Sequence, residues 1–190
     1  HDEATSALVA RDFSIAEILT RFSPGDFHPP LYYLMLDAWT SLAGFSEVAI
    51  RMLSVLYGVA TIWMVYKIAQ SLFTNHYSLI TALLLATAPL HIYYSQEARM
   101  YALETLFATI VAYFVLKIIK TNRWVYYGGL IISSIFLIYT DYLPILFLLA
   151  IFIYLFVVAR KHLVENYIPW LISFFTVFIF ILLASLFCFN

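Results

Sequence analysis

About six windows of roughly 17–23 residues, each nearly free of charge, follow one another along this chain, and each matches the length needed to cross hydrocarbon. A backbone in lipid has no water to bond, so such windows must satisfy their own N–H and C=O groups as helices. Of 190 residues, 64% are hydrophobic and 11% charged, where a soluble domain carries roughly 25% charged residues. The expected fold class is all-α, a polytopic membrane helix bundle. Its expected spans are 48–66, 77–94, 101–116, 124–140, 142–159 and 167–189. A net charge of −1 points to no nucleic-acid partner, and the single cysteine, Cys188, excludes an internal disulfide and a cysteine zinc site.

Residues 1–47 are more polar and form the expected outer loop, with 48–190 as the transmembrane bundle. From Ala4 to Phe22 the pattern is helical: Leu8, Ile15, Ile18, Leu19 and Phe22 share one face, and Ser14, Glu17 and Arg21 another. Such a helix lies in the interface instead of crossing it. Ser23-Pro24-Gly25-Asp26 breaks it. Pro29-Pro30 then suits a helix start, because first-turn N–H groups lack intrahelical acceptors anyway. A second interfacial helix is expected over 30–42, ended by Ala43-Gly44-Phe45. The chain begins at His1 with neither a methionine nor a signal-peptide pattern, and it reads as a piece of a longer protein.

Charge sets the expected orientation. Lys67, then Lys117, Lys120 and Arg123, then Arg160 and Lys161 fall between alternate spans, with one acid, Glu165. The other ten acids fall on the opposite side. The positive-inside rule places the Lys/Arg side in the cytoplasm. An integral protein of the plasma membrane results. Its outer face holds residues 1–47, the stretch Tyr93-Tyr94-Ser95-Gln96-Glu97-Ala98-Arg99-Met100-Tyr101, and Asp141-Tyr142. Three polar clusters far apart in sequence then share one membrane face, which argues for a site.

Arg99 is the strongest single candidate, since its planar fork of donors suits a phosphate or carboxylate. At a membrane surface the obvious phosphate belongs to a lipid. A lipid phosphate leaving a sugar gains negative charge that a fixed arginine stabilises. The alternative is a structural ion pair of Arg99 with Glu97 or Glu104. Glu97, Tyr101 and Glu104 follow i, i+4, i+7 spacing and would share a helix face. Asp2 and Glu3 point about 100° apart on a helix, so one of them could take a proton from an acceptor hydroxyl, or both could simply be solvated. His28 could donate to a phosphate or bond its own backbone. Arg51 is expected to pair with an acid of the outer segment. Asp141 and Tyr142 could line a site or cap a helix end. No second histidine stands at ligand spacing, so no metal is assigned, and dependence on a divalent cation stays open.

Taken together, the outer Asp2-Glu3, His28-Pro29-Pro30-Leu31-Tyr32-Tyr33, Ala49-Ile50-Arg51-Met52-Leu53-Ser54 and Tyr94-Ser95-Gln96-Glu97-Ala98-Arg99-Met100-Tyr101-Ala102-Leu103 resemble a known family. It is the polyprenyl-phosphate-sugar-dependent glycosyltransferases of the GT-C fold. The RgtA/B/C/D-like type is the nearest in pattern, related to protein O-mannosyltransferases and aminoarabinose transferases. The resemblance runs from about Asp2 to Tyr142. It implies transfer of a sugar from a polyprenyl-phosphate donor to a lipid, glycan or protein acceptor on the outer face, with inversion. It implies Asp2 as the catalytic base with Glu3 its neighbour, and Arg99 on the donor phosphate. Gln96, Glu97 and Tyr101 would shape the pocket, and His28 and Tyr32 would lie in the outer loop that covers it. Family members are longer, with more spans. A transporter or flippase for a lipid-linked or polar solute, and a non-catalytic membrane subunit, are the competing readings. Against the transporter, the spans show no paired Gly/Pro-broken helices.

Overall fold

The structure, a computed structural model, describes residues 2–22, 28–157 and 164–188, without the side chains of Asp2, Arg21 and 186–188. Its helices are α1 (Asp2–Asp12), α2 (Ile15–Glu17), a π turn (Ile18–Phe22), α3 (Leu31–Ala43), α4 (Glu47–Leu72), α5 (Asn75–Ala86), α6 (Pro89–Gln96), α7 (Tyr101–Thr121), α8 (Trp124–Thr140), α9 (Pro144–Val157) and α10 (Tyr167–Cys188). Among the described residues there is no strand. Arg160, Lys161 and the expected break at 23–26 lie outside the described residues.

All six expected apolar segments are mainly helical where described, with Thr87-Ala88 and Tyr142-Leu143 outside the helices. By length and apolar character α4, α7 and α10 can each cross a membrane. The expected second span is two helices, α5 and α6, bent by 58°. Pro89 explains the break: it stands at the first helical position of α6, where its missing N–H is harmless, but it could not continue α5. α8 and α9 are apolar but shorter, with 17 and 14 residues. α4 and α7 run further than expected, so Lys67, Lys117 and Lys120 stand on helices and not in loops.

The N-terminal segment, expected to lie in the outer loop, departs from one continuous amphipathic helix. It breaks at Phe13-Ser14, where Ser14 and Glu17 form a capping box. The Glu17 N–H donates to Ser14 Oγ at 3.4 Å, and the Ser14 N–H donates to Glu17 Oε2 at 2.9 Å. Reciprocal capping starts a new helix there, which is why Ser14 and Glu17 shared an apparent polar face. α3 begins after the buried Pro29-Pro30 pair and stops at Gly44, whose φ of +83° favours glycine.

One core joins the N-terminal segment, residues 2–43, to the bundle. Val9, Ala10, Ile18, Tyr32, Tyr33 and Leu36 pack against Ile50, Leu53 and Tyr57 of α4 and against Ala98, Met100 and Leu103. Trp39 Nε1 donates to the Ala49 carbonyl at 2.7 Å and fixes α3 on the start of α4. A second core of Val111, Val115, Ile118, Tyr127, Leu130, Leu137, Leu155 and Trp170 joins α7, α8, α9 and α10.

Close backbone approaches do what apolar area cannot do in lipid, where hydrocarbon surrounds the helices on all sides. A Cβ added at Gly58 would meet Ser95 Oγ at 2.2 Å and Ser95 Cβ at 2.8 Å, so α6 lies directly on α4 there. His91 Nε2 lies 3.2 Å from the Gly58 carbonyl oxygen, which gives this histidine a backbone partner. Gly128, in contrast, has nothing within 4 Å of its added Cβ. We expect Gly58→Ala to lower the thermal midpoint of the detergent-solubilised protein, the overpacking costing about 1–3 kcal/mol. Gly128→Ala should leave it unchanged or raise it, since helical alanine gains about 1 kcal/mol over glycine.

Candidate functional site

The chain serpentines so that alternate helix ends meet. α4 starts, α6 ends, α7 starts and α8 ends at the same end of the bundle as the N-terminal segment, which gathers Glu3, Arg51, Ala98-Arg99 and Asp141 there.

Glu3 sits on the first turn of α1 and binds two distant parts of the chain. Its Oε2 accepts from Arg51 Nη2 at 2.9 Å, and its Oε1 accepts from the Ala98 N–H at 2.8 Å. Arg51 also meets Glu47 one turn earlier, at 3.1 Å. The expected pairing of Arg51 with an acid of the outer segment is what the geometry gives. The expected catalytic base, Asp2, precedes Glu3 on the backbone of α1, and its side chain lies outside the described residues.

Arg99 is buried, 7% exposed, one residue beyond the amide that Glu3 holds. Its guanidinium lies 5.9 Å from the centre of the Tyr101 ring, a cation–π contact. Tyr101 in turn meets Tyr94 edge to face at 5.0 Å. The turn itself is tight: the Arg99 N–H donates to the Glu97 carbonyl at 2.8 Å. Glu97 has extended backbone, φ −90° and ψ 129°, so it leaves α6 before α7 begins. The expected face of Glu97, Tyr101 and Glu104 therefore does not form. Neither Glu97 nor Glu104 makes an ion pair among the described residues, so the alternative reading of Arg99, a structural pair with one of them, is not seen. Gln96 is exposed and Glu97 half-buried.

Tyr32, on the first turn of α3, is 1% exposed. Burial pushes its hydroxyl well above the ordinary tyrosine range, and Arg99 and Glu3 are near enough to act on it electrostatically. Ser54 is its neighbour on α4, yet neither hydroxyl has a well-aligned hydrogen bond among the described residues. Ser54 was not singled out as a site residue from sequence, although it lies within the quoted 49–54 motif. Its spacing of i+3 from Arg51 on one helix face could have flagged it. His28 is half-buried immediately before the Pro29-Pro30 pair.

Asp141 and Tyr142 form a second group. Asp141 is buried at the end of α8, and its Oδ1 accepts from the Leu143 N–H at 3.1 Å, a turn that leads into α9. Glu104 lies within electrostatic reach of it. Tyr142 donates to the Ala184 carbonyl at 3.4 Å and lines an apolar cavity of about 390 Å³ with Pro30, Leu34, Tyr139 and Phe180. Among the described residues no three His, Cys, Asp or Glu side chains converge as a metal-ligand set.

Burial alone would raise the Glu3 carboxyl, but the Ala98 N–H and the Arg51 guanidinium outweigh it and hold the group below its ordinary value. A carboxyl depressed on folding stabilises the fold above its unfolded pKa, and that contribution disappears as pH falls through the folded value. We therefore expect protection of the Ala98 amide in hydrogen exchange to persist at neutral pH and to fall only below the usual carboxylate range. Glu3→Ala should remove that protection at every pH, while the buried α7 amides stay protected.

Comparison with known proteins adds the family. No curated protein and no solved structure matches the chain. The sequence model for dolichyl-phosphate-mannose-protein mannosyltransferases matches residues 27–185, from just before α3 into α10. The matched region holds the 93–101 turn, the Asp141-Tyr142 group and every membrane-length helix of the bundle, and the chain belongs to the dolichyl-phosphate-mannose-protein mannosyltransferase family, membrane glycosyltransferases of GT-C type.

Proposed function

We propose that this chain carries the outer-face catalytic end of a glycosyltransferase that moves a sugar from a polyprenyl-phosphate donor to an acceptor hydroxyl, with inversion. One observation carries the reading. The Glu3 carboxylate holds the Ala98 amide, so the Asp2-Glu3 turn and Arg99 stand beside each other although 95 residues separate Glu3 from Ala98.

Each residue then has a chemical task. By family resemblance, the Asp2 carboxylate takes the proton of the acceptor hydroxyl. The freed oxygen attacks the sugar's anomeric carbon as the bond from that carbon to the phosphate oxygen breaks, and the electron pair leaves with the polyprenyl phosphate. A single displacement of this kind inverts the anomeric centre. Arg99 offsets the charge that develops on the leaving phosphate, and the Tyr101 ring holds the guanidinium from one side. Glu3 positions the turn and does not touch the substrate. The Tyr32 and Ser54 hydroxyls supply buried polar groups in the same neighbourhood. A buried hydroxyl left unsatisfied costs about 1–3 kcal/mol, so such groups favour a polar substrate beside them. Exposed Gln96, half-buried Glu97 and His28, and Asp141 and Tyr142 are the further candidates for substrate contact.

The bent α5–α6 pair is the one observation that favours a transporter, because broken helices mark many transport sites. It is a single broken span among the described residues, not a pair of them. The polar groups also lie at a helix end, not at mid-span. The transferase reading accounts for more of the geometry.

The test is sugar release from labelled polyprenyl-phosphate hexoses, mannose among them, by membranes containing the protein. Arg99→Lys keeps the charge but loses the fork, and it should slow release about 10²-fold or more, the scale set by loss of one preorganised donor. Asp2→Asn should abolish release while membrane insertion stays intact. Equal release by the parent and Asp2→Asn would remove Asp2 from the mechanism. Movement of lipid-linked sugar across the bilayer without transfer would favour the transporter.

A further inference from the structure

At the opposite end of the bundle, α4, α5 and α7 enclose a cavity of about 640 Å³. Its lining includes Trp63, Lys67, Gln70, Asn75, Tyr113 and Lys117. It lies far from the Glu3–Arg99 end. Lys67 follows Arg51 by 16 positions on α4 and Lys117 follows Tyr101 by 16 on α7, which is about 24 Å at 1.5 Å per residue. We propose that this cavity binds a phosphate group, that of an anionic lipid headgroup in the membrane leaflet at this end.

Three observations carry the proposal. First, the charges are of one sign. Both lysines are half-buried, no carboxylate lines the cavity, and neither lysine has an acid within ion-pair distance among the described residues. A partly buried ammonium without a counter-charge is costly, so an anion is the natural occupant.

Second, the lysines are not simply reaching for water. Lysines near the ends of membrane helices ordinarily snorkel outward. Here the Lys67 ammonium lies over the Trp63 ring at 5.5 Å, and the Lys117 ammonium lies over the Tyr113 ring at 5.4 Å. In both cases the ring belongs to the residue four positions earlier, which on each helix lies toward the middle of the bundle. Side chains tilt toward the N-terminus of their helix, so both ammoniums lean back into the cavity from facing helices.

Third, the rest of the lining adds no negative charge. Thr74, the residue ahead of α5, makes no side-chain cap, so the first N–H groups of this 12-residue helix keep their donor capacity beside Asn75. Gln70 ties the two sides together, its Nε2 donating to Tyr66 Oη at 2.8 Å and to Asn75 Oδ1 at 3.4 Å. Ile110 and Phe114 continue the lining as apolar surface, suited to the glycerol and upper acyl chain below a headgroup. Basic pockets between membrane helices recognise anionic headgroups by these means.

The experiment is native mass spectrometry of the protein released from detergent micelles after addition of phosphatidylglycerol, phosphatidylcholine or inorganic phosphate. The parent should retain phosphatidylglycerol in preference to phosphatidylcholine. K67Q/K117Q should lose about 30-fold in affinity, the conversion of about 1 kcal/mol for each lysine near an anionic surface. K67R/K117R should keep binding. K120Q/R123Q removes the same charge from exposed positions outside the cavity and should lower affinity clearly less than K67Q/K117Q. Should K67Q/K117Q fail to fold, Lys117→Gln alone takes its place, with a loss of about fivefold expected on the same scale. Equal retention of phosphatidylglycerol by the parent and the lysine-to-glutamine variant, or equal retention of both lipids by the parent, would overturn the proposal. Displacement of phosphatidylglycerol by millimolar inorganic phosphate would keep the phosphate chemistry and overturn the lipid source.

Discussion

The Glu3 carboxylate holds Arg51 with one oxygen and the Ala98 amide with the other, and through them the outer segment, the first long helix and the 97–100 turn share one geometry. Its energetic weight is small. Arg51 and Glu3 are 44% and 34% exposed at their side chains, and exposed pairs contribute about 0–1 kcal/mol. The apolar contacts beneath are larger: fully burying a side chain such as Ile18 or Leu36 contributes about 1.5–3 kcal/mol. Packing therefore keeps α1 and α3 on the bundle, and Glu3 decides where the first turn of α1 points. A positioning contact of this kind changes the site when it is lost while leaving most of the fold intact.

How far the sequence foretells this structure depends on the range of each interaction. The apolar windows announce their helices, because a lipid-facing helix must be apolar along its whole length. The Gly44 stop and the Pro29-Pro30 start are equally local. The breaks were harder. Ser14 and Glu17 fit a polar helix face as well as a capping box, and periodicity does not separate the two. Pro89 was visible, but whether it ends a span or bends one depends on what α6 lies against, and that is Gly58, 33 residues before His91. The Glu3–Ala98 bond had no signature at all, since any backbone amide can serve as the donor. Arg51 was easier, as a charge just inside an apolar helix needs an acid and the outer segment is rich in them.

The two ends of the bundle differ in the sign of charge they present. α4 and α7 carry both ends, and the serpentine path places most acids with Arg51 and Arg99 at one end and a mainly basic set, Lys67, Lys117, Lys120 and Arg123 with the single acid Glu165, at the other. The positive-inside pattern used to orient the chain counts Lys67 and Lys117 simply as charges. Their fold-back over Trp63 and Tyr113 gives the same residues a local structure that counting does not capture. At about 24 Å apart along each helix, changes at the two ends should act independently, because sites more than roughly 10 Å apart that share no partner are usually additive.

The break between α6 and α7 is what makes the Glu3 contact available. In a continuous helix the Ala98 N–H would donate to the carbonyl four residues earlier and not to an outside acceptor. Because Glu97 is extended, the amides of residues 98–100 belong to neither helix. Ala98 gives its N–H to Glu3, and Arg99 gives its own to the Glu97 carbonyl. The same extended residue turns the Arg99 side chain into the interior beside Ala98 and Met100, both buried, while Gln96 one step earlier remains exposed. A straight span through this region would instead have placed Glu97, Tyr101 and Glu104 on one face and left Arg99 on another. The turn thus exchanges a regular helix for one amide bonded to Glu3 and one buried guanidinium, and both lie where the first turn of α1 meets the bundle.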